Sequence, residues 1–141
     1  MTNDLEKAVR ILKEHSYTCV LLREERIYSS RLRGVRPLLE LLDTHEDLSG
    51  FFAADKTVGL GAAHLYLLLG ISGVWARVIS HPAKALLEAH GVSVGYDSLV
   101  PHIINRSGDG RCPIEEAVAD CLSSAEALEK IRDTLKNLSK S

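Results

Sequence analysis

The chain has 141 residues, about one domain's worth, and carries 17 Lys and Arg against 19 Asp and Glu, a formal charge of −2. Apolar residues make up 45% of it and charged residues 26%, which excludes disorder and lets one core hold the fold without disulfides or metals. The balanced charge excludes nucleic-acid binding by bulk electrostatics, and no apolar run is long enough for a membrane span. The acidic, amphipathic start has no signal-peptide core, and Cys19, Cys112 and Cys121 are an odd set with no C-x-x-C pair. A cytoplasmic, reduced protein with no metal or other cofactor is the expectation.

In chain order, Asp4 to His15 places Leu5, Ala8, Val9, Ile11 and Leu12 on one helical stripe. Tyr17 to Leu22 reads as a strand buried on both faces, and Ile27 to Ser30 as its hairpin partner across Arg23 to Arg26. Pro37 to Leu42 is a short helix opened by proline. Phe51 to Ala54 is the next strand. Asp55 then opens a helix that runs to Leu69 and closes at Gly70. Val74 to Ile79 (strand), Pro82 to His90 (helix) and Val92 to Val94 (strand) follow. Ile103-Ile104 is a candidate further strand, Ser107 to Gly110 a loop, and Pro113 to Leu122 and Ser124 to Leu138 two closing helices. Strand and helix alternate, so the fold class is α/β. The expected architecture is one domain, a three-layer α/β/α sandwich on a mixed sheet of about five strands.

In such sheets ligands bind where strands end and helices begin. At Ala54-Asp55-Lys56-Thr57, Asp55 suits a helix N-cap, or else forms with Lys56 an acid and cation pair lining a crevice. Gly59 and Gly61 follow, where a helix interior disfavours glycine, so close approach of another group is expected. At Ser80-His81-Pro82, Ser80 caps a helix or meets a ligand, and His81 is a general base or a bystander. At Cys112-Pro113-Ile114-Glu115, Cys112 takes the N-cap and Glu115 the third helical position, as in a capping box. A thiol there, next to Arg111, is a nucleophile candidate. Asn105 and Arg106 suit phosphate or carboxylate recognition. The arginines between residues 23 and 36 read as a solvated edge, except Arg36, which stands at a helix start where anions bind.

Ser30 to Leu39, Ala54-Asp55-Lys56-x-Val58-Gly59, Ile79-Ser80-x-Pro82-Ala83, Leu99-Val100-Pro101-x-Ile103-Ile104-Asn105-Arg106 and Cys112-Pro113-x-Glu115 together resemble an uncharacterised prokaryotic family with a cytidine-deaminase-like fold. The likeness covers about residues 5 to 122 and leaves the last helix outside. It implies a nucleoside pocket between two helix N-termini. Zinc deaminases carry His-x-Glu at the first and P-C-x-x-C at the second. Here the first reads as about Ala54 to Thr57, and the two cysteine positions of the second read as Ala83 and Leu86. Zinc-dependent deamination is therefore not expected.

The resulting expectation is a nucleotide- or nucleoside-binding or sensing domain, with Arg36, Lys56, Ser80, Asn105 and Arg106 holding the ligand. The alternative is a metal-independent transferase or hydrolase acting on a nucleotide through Asp55 or Cys112, with Glu115 alongside. Self-association stays open.

Overall fold

The computed structural model describes residues 3–104, 108, 110 and 112–139. The first stripe forms helix α1 (Asn3–Glu14), burying Leu5, Ala8, Val9 and Leu12. Strands β1 (Cys19–Arg23) and β2 (Arg26–Ser30) pair antiparallel as the expected hairpin. Helix α2 (Arg36–Asp43) carries Pro37 in its first turn, where the missing N–H costs nothing. Then come β3 (Phe52–Val58), α3 (Leu60–Leu69), β4 (Gly73–Ser80), α4 (His81–Ala89) and β5 (Ser93–Val100). Helices α5 (Pro113–Val118) and α6 (Ser124–Ser139) follow.

The five strands form one mixed sheet in the order β2-β1-β3-β4-β5. β1 runs antiparallel to β3, and β3, β4 and β5 run parallel. The two sheet faces bury different clusters. On one, α1 covers Val20, Leu22, Ala54 and Trp75. On the other, Cys19, Leu21, Ala53 and Ala76 pack with Tyr66 and Leu65 of α3, Ile114 of α5 and Ile131 of α6. One helix thus forms the outer layer on one side, and the remaining helices gather on the other.

Three expected boundaries move. Asp55 does not open a helix: it lies in β3, paired with Cys19 on one side and Ala76 on the other, and α3 begins at Leu60. A central strand must satisfy its backbone groups through both neighbours, and that pairing carries β3 on through Thr57 and Val58. The local capping signal loses to this long-range requirement. β5 extends to Val100, well past the expected end at Val94, because β4 offers it partners as far as Ser80. Helix α5 stops at Val118, short of Leu122. Ile104 makes an isolated bridge and starts no strand. Other local signals hold: Gly70 closes α3 at φ 81°, and the Ser80 hydroxyl accepts from the Ala83 N–H at the start of α4.

Leu12→Ala leaves a void in the cluster that holds Trp75. It is expected to cost about 2–5 kcal/mol, read as a lower denaturation midpoint by Trp75 fluorescence.

Candidate functional site

Asp55 is 7% exposed, and strand alternation sets it on the helix-rich face of β3. A carboxyl group there loses its hydration and needs partners. Its Oδ2 accepts a 2.6 Å hydrogen bond from the Tyr66 hydroxyl, and its Oδ1 accepts the Thr57 N–H at 3.2 Å. Cys19 Sγ lies 3.4 Å from the same hydroxyl. Tyr66 has one phenolic proton and gives it to Asp55, so the Cys19 thiol is the donor of the second bond. Burial outweighs these bonds and pushes the Asp55 pKa up from 3.8 to about 7. Burial, with the Asp55 charge next in weight, likewise raises the pKa values of Cys19 and Tyr66. The cluster therefore changes charge at Asp55 near neutrality while the thiol and phenol keep their protons.

The second element is Glu115. The expected capping box does not form. Its carboxylate instead crosses to the start of α3, where Oε1 accepts the Leu60 N–H at 2.6 Å and Oε2 the Gly61 N–H at 2.9 Å. These donors have no partner within their own helix, and the helix dipole favours an anion there. The glycines make the approach feasible. A Cβ at Gly59 would collide with the Glu115 carboxylate, and one at Gly61 would meet Ile114 Cγ2 at 2.6 Å. Cys112 does take the N-cap of α5, but its side chain makes no capping hydrogen bond and is half-buried.

Between these elements lies a groove of about 330 Å³, lined by Arg33, Asp55, Thr57, Gly59, Cys112 and Glu115, with Thr18 and Lys56 also bordering it. The structure thus brings together Asp55, Lys56, Cys112 and Glu115. It turns the Lys56 side chain away from Asp55, because successive strand residues face opposite sides. Ser80 is fully buried, spends its hydroxyl on capping α4 and does not line the groove. Arg36 is exposed in the first turn of α2, and Arg33 and Gly34 border the groove in its place. Asn105 and Arg106 lie outside the described residues. The would-be cysteine positions, Ala83 and Leu86, both fall within α4. Among the described residues no group of three His, Cys, Asp or Glu side chains is placed to hold a metal ion.

Sequence reasoning missed Tyr66 and Arg33. Tyr66 looked like one more apolar position of α3, and a tyrosine in a buried helix is the signal that some polar partner must exist. Arg33 reads as part of a solvated edge with its neighbours, and the signal beside it is the glycine that follows, which takes φ 66° in a turn.

The folded-state pKa of Asp55 stands above its unfolded value, so its effect on stability is fully favourable below about pH 4. That contribution, roughly 4 kcal/mol at most, is lost as pH rises through 7. Tyr66→Phe removes the hydrogen bond that most favours the carboxylate. It is expected to cost about 1–3 kcal/mol at pH 8, where Asp55 is charged, and less at pH 5. Denaturant midpoints of both proteins at both pH values check this.

A family described as a domain of unknown function, DUF1893 (TM1506), matches residues 7–135. A crystal structure of the DUF1893 family protein TM1506 from Thermotoga maritima is similar throughout, with a TM-score of 0.84 and 29% sequence identity. The match covers 97% of this chain and 91% of that one. No curated protein matches the chain. With 129 matched positions and a shared fold, the chain belongs to the DUF1893 family, whose function is unknown.

Proposed function

We propose that the chain is a ligand-binding domain of cytidine-deaminase-like fold that binds a nucleotide or nucleoside in the Asp55–Cys112 groove without zinc. The observation that carries the reading is the groove itself. It is about 330 Å³, within the usual range for small-molecule sites, and opens at the carboxyl end of β3 beside the first residues of α3 and α5. Asp55 offers it a carboxyl group that is half protonated near pH 7, able to donate to or accept from the edge of a base. Arg33 supplies a cation for a phosphate. The resemblance placed the first helix start at Ala54 to Thr57. The corresponding helix begins at Leu60, and its free N–H groups are held by Glu115, so a carboxylate of the chain sits where a catalytic group or ligand would be sought. That arrangement supports binding over zinc chemistry.

The second reading, a metal-independent transferase or hydrolase, draws on the same acid. A carboxyl group with a pKa about 7 matches the demand on a general base, and Cys112 borders the same groove as the alternative nucleophile.

Adenosine or pyrimidine nucleotides are expected to raise the melting temperature, with about 2.7 kcal/mol added at 100 times the dissociation constant. Chelator should leave that gain intact, and Arg33→Ala should weaken nucleotides about tenfold and nucleosides little. A screen with no shift in any of these ligands counts against binding. A mass increment on Asp55 or Cys112, lost in Asp55→Asn or Cys112→Ser, would select the catalytic reading.

A further inference from the structure

The face of the sheet covered by α1 holds a second groove, of about 380 Å³, between the end of α1 and strands β3 to β5. Its lining includes Lys13, Lys56, Arg77, Asp97, His15 and the edge of Trp75. Lys56 lies between Asp55 and Thr57, which pair with Ala76 and Val78, so its neighbour on β4 is Arg77. By the same register Arg77 neighbours Asp97 on β5. Two cations thus stand side by side on adjacent strands, an arrangement that repels and that sheets ordinarily avoid. Lys13 adds a third from α1, with its Nζ 5.1 Å from the centre of the Trp75 ring.

None of these three cations forms an ion pair among the described residues. Asp97 and the partial negative charge at the end of α1 oppose an anion here, but three full positive charges outweigh them. The chain as a whole carries a formal charge of −2, so this concentration is not a consequence of composition.

We propose that this groove is a second ligand site, which takes a small multiply charged phosphate group such as pyrophosphate. Three cations lining one groove together with His15 and Ser16 suit an oxyanion that can accept several hydrogen bonds at once. Trp75 is 6% exposed, so the groove has no open ring for a base to stack on and reads charge. It lies across the sheet from the Asp55 carboxyl, and Lys56 borders both grooves.

Trp75 is the one tryptophan of the chain and borders this groove, which makes its fluorescence a local probe. Pyrophosphate titrated at constant ionic strength should give a saturable change in that emission, and a nucleoside diphosphate should bind with equal affinity. Arg77→Gln and Lys13→Gln, both at exposed positions, should each weaken pyrophosphate about tenfold. Arg33→Gln, in the other groove, should leave the affinity unchanged. A change matched by sodium chloride at equal ionic strength overturns the proposal. So does unaltered binding by Arg77→Gln, or an equal loss in Arg33→Gln.

Discussion

A carboxyl group in the middle of the central strand sets the terms for the rest of this fold. Asp55 is desolvated on a sheet face otherwise filled by Ala53, Leu21, Ala76 and Cys19. Left alone it would cost several kcal/mol as an ion, so the structure answers it from two directions. Thr57 donates from the same strand, and Tyr66 from the second turn of the helix that follows. The Tyr66 bond fixes how α3 lies against β3, and the Cys19 thiol ties β1 to the same point. The polar floor of the groove is therefore also the joint between sheet and helix layer.

Glu115 forms the second joint. A helix start presents orphan N–H groups, and here a side chain from α5 takes two of them. The cost is the absence of side chains at Gly59 and Gly61, and the gain is that α5 and Cys112 are brought to the groove edge. The positive end of α3 is thereby satisfied from within. The cations that border the groove are Arg33 and Lys56.

Much of the layering was legible because it follows from periodicity. The α1 stripe, the β1–β2 hairpin, the Ser80 cap and the Gly70 stop each have a cause within a few residues. The site was legible in its members more than in its geometry. Asp55 before a helical run has the local signature of a cap, and what overrules it is pairing with Cys19 and Ala76, 36 positions before it and 21 after it. Glu115 three residues past an N-cap has the signature of a capping box, and its true partners lie 55 and 54 positions upstream. Asp55 and Lys56 looked like a pair because they are adjacent, and adjacency in a strand separates them onto opposite faces. Asp55 lines a groove under the helices, and Lys56 borders that groove as well as the cationic one beside α1.

Asp55 is held as a buried acid, its pKa raised to about 7 by desolvation, at the floor of the groove. Carbon-13 NMR of the aspartate side-chain carboxyl groups, assigned with Asp55→Asn, measures it directly. The Asp55 resonance is expected to titrate with a midpoint about 7. A midpoint near 4, the ordinary aspartate value, would contradict it.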